Sequence, residues 1–141
     1  MPVDRTLVTR KMALILQDMP RLEAIGRLTR DDYLSNDINE LAAERLLERI
    51  IGRMIDINYH LIMESSGVPP RDFFDSFLRL GDVGVLPREA ARAMAPAAGL
   101  RNRLAHEYNE IDPVKVQEAV RAAVTQVPQY LEAVQRFVDG L

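Results

Sequence analysis

Residues 37–66 read DINELAAERLLERIIGRMIDINYHLIMESS, and this stretch decides the fold of the chain. Its apolar residues recur at steps of three and four, which is the spacing of one face of an α-helix. Asp37 is the predicted N-cap, with Glu40 three residues later as in a capping box. Residues 65–67 (Ser-Ser-Gly), followed by two prolines, predict where this helix ends. The sequence therefore predicts one long helix that organises the rest of the chain.

Helical spacing continues on both sides of this stretch, and nothing in the sequence alternates as a strand would. A polar connection is expected over residues 29–36. The other predicted helices cover about 4–27 with a kink at Pro20, 71–80, 87 to about 106 with a break near Ala95, and 113 to about 138 with a bend at Pro128. We therefore predict an all-α, up-and-down bundle of four to five helices, forming a single domain over residues 1–141. A two-fold homodimer is the expected assembly.

Composition excludes several classes of function. The chain has 141 residues, no cysteine and a formal net charge of −3. The lack of cysteine excludes disulfides, thiolate metal ligands and a cysteine nucleophile. No apolar run is long enough to span a bilayer, and residues 1–5 are not followed by the apolar core of a signal peptide. We expect a cytoplasmic protein that makes no membrane contact.

One stretch of the sequence combines residue types that are typical of a catalytic site. It is the run Arg101-Asn102-Arg103-Leu104-Ala105-His106-Glu107-Tyr108. Histidine exchanges a proton near neutral pH, and arginine binds phosphate and stabilises the charge that develops in a transition state. RNA carries its own nucleophile, the 2′-hydroxyl group. A base, an acid and a cationic group that binds the phosphate are therefore sufficient for phosphodiester cleavage. An RNA-cleaving site made of these residues requires no metal and no cofactor.

Helix geometry restricts this interpretation. On an unbroken α-helix Arg101 and His106 are about 140° apart around the axis, so they cannot share one phosphate. Either the helix unwinds before His106, or two copies of the run meet across a dimer. An alternative without chemistry also exists, in which the same side chains cap carbonyl groups at a helix end and pack.

The run resembles the R-x4-H-x-Y motif of the HepT toxin family, a group of HEPN-domain ribonucleases. The resemblance extends to the long helix, with Ala43-Glu44-Arg45 and Ile55-Asp56, and to the segment from Gly67 to Phe77. It implies a HEPN-like helical homodimer with two facing motifs. It also implies a toxin that cleaves RNA, not DNA, without metal. The implied partner is an antitoxin, the minimal nucleotidyltransferase MntA, which transfers AMP from ATP to the motif tyrosine.

The resemblance assigns a role to each motif position. Arg101 would bind and polarise the scissile phosphate, and His106 would act as general base or acid. Asn102 would orient the phosphate or the histidine. Tyr108 would be the AMPylated residue, because added negative charge beside the site would repel RNA. Arg103 is not a motif position, and it either adds phosphate affinity or is a solvated surface residue.

A second basic feature lies on the long helix. Five polar residues fall within about 80° of one helix face: Arg45, Arg49, Arg53, Asp56 and His60. This face is either solvated, with local ion pairs, or a contact surface for a dimer cleft, an acidic partner or an RNA backbone. The sequence leaves both interpretations open.

A second class of function also remains open. In this alternative the chain is a non-catalytic helical partner of a nucleotidyltransferase, with the motif pocket used to bind a nucleotide or RNA. The acidic net charge and the lack of a broad basic face favour this alternative, whereas the complete motif favours the ribonuclease.

Overall fold

The computed structural model describes residues 2–106 and 111–141, and all regular elements within these ranges are α-helices. In chain order they are α1 (Arg5–Gly26), α2 (Arg30–Leu34), α3 (Asp37–Ser66), α4 (Phe73–Asp82), α5 (Arg88–Met94), α6 (Pro96–His106) and α7 (Pro113–Asp139). The predicted all-α bundle is confirmed. The described part contains more helices than the four to five expected, because α2 was not foreseen and α5 is separate from α6 at the predicted break.

The helix ends follow local side-chain chemistry. The carboxylates of Asp4 and Asp112 cap α1 and α7 by accepting backbone N–H groups three and two residues later. The α3 prediction was wrong by one residue: Asn36 is the N-cap, and its side chain accepts the Ile38 N–H at 3.0 Å. Asp37 is instead the first helical residue. Gly67 ends α3 in the left-handed conformation at φ 73°, which favours glycine.

The expected polar connection over residues 29–36 contains the short helix α2. The Thr29 hydroxyl accepts the Asp32 N–H at 3.1 Å and caps it. Only one large apolar side chain, Tyr33, points inward from this helix, and it is 1% exposed. A helix of five residues with one buried anchor has almost no periodic signal, which explains why the sequence did not indicate it.

The core lies where α1, α3 and α7 pack together, and α4 and α6 extend it along the second half of α3. Its largest fully buried apolar side chains include Ile15, Leu22, Leu47, Ile50, Ile57, Leu61, Phe77 and Tyr130. Both α1 and α7 continue through an internal proline, Pro20 and Pro128. None of the described helices is long and apolar enough to cross a membrane.

A chain of buried polar groups joins α3, α4 and α7. The Tyr130 hydroxyl lies 2.6 Å from Asn58 Oδ1 and 3.0 Å from the Met54 carbonyl oxygen. The Asn58 amide donates to Ser76 Oγ at 3.3 Å, and the Ser76 hydroxyl donates to the Phe73 carbonyl oxygen at 2.6 Å. Because buried polar groups need partners, this chain fixes the start of α4 relative to α3 and α7. It therefore fixes Phe73, on which the functional site is built.

Candidate functional site

Arg101 lies in the middle of α6, with a half-buried side chain that faces α3 and α4. Its guanidinium carbon is 5.5 Å from the centre of the Phe73 ring, a cation–π contact. The Tyr59 ring meets Phe73 edge-on, with 6.1 Å between centroids and an interplanar angle of 86°. An aromatic pair from α3 and α4 thus supports the motif arginine.

A small open pocket of about 240 Å³ lies beside this guanidinium. Its lining consists of Gly52, Ile55, Asp56, Tyr59, Phe73 and Arg101. Within the described residues, the buried Nε of Arg101 has no hydrogen-bond partner, and its guanidinium forms no ion pair with a carboxylate. An arginine in this state can donate its N–H groups to an anion that enters the pocket.

Two acidic groups and a phenol shape the electrostatics around the aromatic pair. Burial and then the carboxylates of Asp72 and Asp75 raise the pKa of Tyr59, so its hydroxyl stays protonated and can donate at neutral pH. Asp75 is itself mostly buried, which alone would raise its pKa. Hydrogen bonds from the backbone and side chain of Arg71 outweigh this effect and lower the pKa of Asp75.

The other described motif residues lie on different sides of α6. The helix continues through His106, so of the two alternatives the one in which it unwinds before His106 is not observed. Asn102 and His106 are exposed and share one side, about 40° apart around the axis. Arg103 is also exposed and lines a separate, mostly apolar groove of about 630 Å³ between α3, α6 and α7. Within one chain, the structure brings none of these three side chains to the pocket of Arg101.

Residues 107–110, which include Tyr108, lie outside the described residues. The assignment of Tyr108 as a modification site therefore stays a prediction. In the described ranges, no three His, Cys, Asp or Glu side chains are grouped so that they could hold a metal ion.

Part of the basic face of α3 pairs with α1, a contact that neither interpretation named. The Asp18 carboxylate, 3% exposed, lies 3.3 Å from Arg49 Nε and 3.0 Å from Arg53 Nη1. The Arg53 side chain also donates to the Leu14 carbonyl oxygen at 3.3 Å. These two arginines join α1 to α3 and are engaged within the fold. Arg45, paired with the neighbouring Glu48 at 3.7 Å, is the one that fits a solvated face.

The two remaining residues of this face also contact α1 or its cap. Lys11 Nζ lies 2.9 Å from Asp56 Oδ2. The Asp4 backbone N–H donates to His60 Nε2 at 2.8 Å, so His60 holds the start of α1. His60 is thus engaged within the fold.

Sequence reasoning did not include Gly52, Asp56, Tyr59 and Phe73 in the site. A signal did exist on α3, since Gly52, Asp56 and Tyr59 recur at steps of four and three and share a face. Their proximity to Arg101 depends on how α4 and α6 dock on α3, which no local pattern reveals.

Comparison with known proteins identifies the family of this chain. The family model described as Ribonuclease HepT-like matches residues 15–134, most of the chain. The chain belongs to the HepT-like family. Over 139 residues this HepT-like chain is 34% identical to the tRNA nuclease HepT of Aphanizomenon flos-aquae, covering 99% of this chain and 95% of that protein. The predicted family membership is confirmed.

Solved structures share the fold of this HepT-like chain. One is the tri-AMPylated Shewanella oneidensis HEPN toxin in complex with MNT antitoxin, at 19% identity and a TM-score of 0.83. A toxin–antitoxin crystal structure with AMP-PNP matches at 18% identity and the same TM-score. Both alignments cover 94% of this chain and 99% of the other. At this identity the likeness demonstrates the helical HEPN fold.

Proposed function

We propose that this protein is the ribonuclease toxin of a toxin–antitoxin pair and that it cleaves RNA without a metal ion. The observation that carries the proposal is the state of Arg101. This motif arginine is supported by Phe73, borders an open pocket, and pairs with no carboxylate of the described residues. Similarity over nearly the whole chain to a protein named tRNA nuclease supports the same activity.

The proposed chemistry uses the 2′-hydroxyl of RNA as the nucleophile. His106 removes the 2′-hydroxyl proton while the 2′-oxygen bonds to the adjacent phosphorus atom. The bond from phosphorus to the 5′-oxygen then breaks, and the imidazolium returns the proton to that leaving oxygen. Arg101 donates to the non-bridging oxygens, where negative charge concentrates in the transition state. The products are a 2′,3′-cyclic phosphate and a free 5′-hydroxyl end.

The active unit in this proposal is a homodimer. Because α6 is helical through His106, Arg101 and His106 of one chain point about 140° apart. A second copy related by a two-fold axis supplies the missing group, so that Arg101 of one protomer and His106 of its partner act on the same phosphate. Exposure of Asn102 and His106 leaves them available for this arrangement, in which Asn102 orients the phosphate or the histidine.

We further propose that AMPylation controls this activity. A minimal nucleotidyltransferase antitoxin of the MNT type transfers AMP from ATP to Tyr108, two residues beyond His106 in the chain. Each AMP adds negative charge and bulk close to the groups that bind the RNA phosphate, and it repels that phosphate. The tri-AMPylated state of a structural relative in complex with its MNT antitoxin supports this mode of control.

Expression of the protein alone tests the activity. We expect growth arrest and RNA cleavage from the wild type, and loss of both in Arg101→Ala and His106→Ala. The purified enzyme should keep its activity in excess chelator and yield cyclic phosphate ends. A harmless wild type that leaves RNA intact would contradict the nuclease and favour a non-catalytic partner of the transferase.

Intact mass spectrometry tests the control by AMPylation. Co-expression with the neighbouring nucleotidyltransferase should add AMP-sized increments to the wild type and none to Tyr108→Phe. Increments that persist on Tyr108→Phe would show that another residue accepts the AMP groups.

A further inference from the structure

Gly52 lies in the middle of α3, where glycine is less favourable than alanine. A Cβ atom built at Gly52 would meet nothing within 4 Å, so no contact within the described chain requires glycine there. The empty space above Gly52 is the pocket beside Arg101. A larger side chain at this position would fill that space without disturbing the core.

The pocket has chemically distinct walls. Arg101 contributes a cation on one side, and Asp56 contributes a carboxylate on another. Lys11 engages Asp56 Oδ2 at 2.9 Å, whereas Oδ1 accepts no hydrogen bond from the residues that the structure describes. Ile55 and the aromatic pair Tyr59 and Phe73 line the rest with apolar surface.

The groups that line the pocket are chemically complementary to the phosphate and the base of one nucleotide. Guanidinium binds the phosphate, apolar and aromatic surface suits a base ring, and a free carboxylate oxygen accepts an N–H group from the edge of the base. A volume of about 240 Å³ admits a single heterocycle and is too small for a helix or a loop of a protein partner.

We propose that the pocket formed by Gly52, Ile55, Asp56, Tyr59 and Phe73 is a nucleobase subsite that holds the base next to the scissile phosphate. Asp56 determines its specificity: the free carboxylate oxygen accepts the exocyclic amino group of cytosine or adenine and disfavours uracil, which presents a carbonyl oxygen there. Lys11 offsets the charge of Asp56, so that the carboxylate does not repel the neighbouring phosphate. This inference rests on the proposed RNA-cleaving function, because it names the substrate group that the same site recognises.

Binding of RNA that cannot be cleaved tests the subsite independently of catalysis. Fluorescently labelled 2′-fluoro trinucleotides of cytidine, adenosine or uridine lack the nucleophile but present the same bases. Fluorescence anisotropy should give the wild type a Kd for the cytidine and adenosine probes that is about fivefold lower than for uridine. Asp56→Asn should reduce this preference to less than about twofold or invert it, since an amide can donate to the uracil carbonyl.

Two further variants separate the subsite from structural effects. Gly52→Met should raise the Kd for all three probes by about fivefold or more, because its side chain fills the pocket, while the melting temperature does not fall. Lys11→Gln removes the ion pair but retains the carboxylate, so the preference for cytidine and adenosine should persist.

Equal affinity of the wild type for the three probes, or an unchanged preference in Asp56→Asn, would overturn the subsite. A Gly52→Met protein that binds the probes normally but changes from dimer to monomer in light scattering would assign the space to a second copy and would also overturn it. Cleavage by the wild type without any base preference would contradict the subsite alone, whereas preferential binding without cleavage would contradict only the nuclease.

Discussion

The arginines of α3 and the motif arginine of α6 lie on neighbouring helices, yet they are engaged in opposite ways. Arg49 and Arg53 converge on the buried carboxylate of Asp18 and connect α3 to α1. Arg101 lies over the Phe73 ring and borders an open pocket, without a carboxylate partner among the described residues. An arginine bound to a buried acid is committed to the fold, whereas one supported by an aromatic ring remains available for an anionic ligand.

The largest effect should come from removing the available arginine. Arg101→Ala should lower kcat/KM for RNA by about 100- to 1,000-fold, because the negative charge of the transition state loses the guanidinium group that stabilises it. Arg101→Lys should still lose about tenfold or more, because it keeps the charge but loses the planar fork. Cleavage of a labelled RNA measures both.

Arg53→Ala is the matched control for this pair of variants. We expect its activity per folded molecule to stay within about twofold of the wild type, because among the described residues the Arg53 side chain hydrogen-bonds to Leu14 and Asp18 of α1. A loss as large as that of Arg101→Ala would remove the distinction between the two groups of arginines.

The next effect concerns stability. Asp18→Ala leaves Arg49 and Arg53 without their shared carboxylate, and both side chains can partly rehydrate because they are 37% and 20% exposed. We therefore expect a loss of about 2 kcal/mol in the free energy of unfolding, below the usual cost of breaking a fully buried pair. Denaturant unfolding measures it, and Glu48→Ala, which breaks only the exposed pair with Arg45, should cost less than about 0.5 kcal/mol. Equal losses in the two variants would contradict the structural role of Asp18.

The two histidines differ in the same way as the two groups of arginines, one being engaged in the fold and the other available for the site. His60→Ala removes the acceptor for the Asp4 N–H and should cost about 0.5–1 kcal/mol of stability with no loss of RNA cleavage. His106→Ala should abolish cleavage and leave the unfolding midpoint unchanged, because the side chain is exposed at the end of α6. Loss of activity in His60→Ala would show that His60 also contributes to RNA cleavage and would contradict this contrast.

The last effect depends on pH. Arg71 lowers the folded-state pKa of Asp75, so the ionised carboxylate contributes stability that is present above its unfolded pKa of about 4. This contribution is lost as the pH falls through the lower, folded-state pKa. Asp75→Asn should therefore be less stable than the wild type by about 1 kcal/mol at pH 7, and the difference should shrink below pH 4. A constant difference from pH 7 to pH 3 would contradict this.

Local chemistry explains which parts of the fold could be predicted from the sequence. The long α3, the start of α7 at Pro113 and the break at Ala95 depend on neighbouring residues, and each was predicted. The prediction of Asp37 as the cap was wrong because asparagine and aspartate cap equally well, and only the backbone dihedrals show that Asn36 holds this position.

Long-range docking explains which parts could not be predicted. The partner of the α3 arginines is Asp18, 31 and 35 positions earlier in the chain, and the ring beneath Arg101 comes from α4. A helical pattern shows that Arg49 and Arg53 share a face, but it does not show which helix covers that face. For the same reason the motif indicated Arg101 and His106, while the pocket of Gly52, Asp56 and Tyr59 became visible only in the assembled bundle.

The composite site is the central claim, and heterodimers test it most directly. Arg101→Ala and His106→Ala chains are co-expressed with different affinity tags, and dimers that contain one of each are isolated through both tags. If Arg101 of one protomer acts with His106 of its partner, each heterodimer keeps one complete site and should cleave RNA at about half the wild-type rate. If the two residues act within one chain, no complete site remains, and heterodimers no more active than either variant alone would contradict the account.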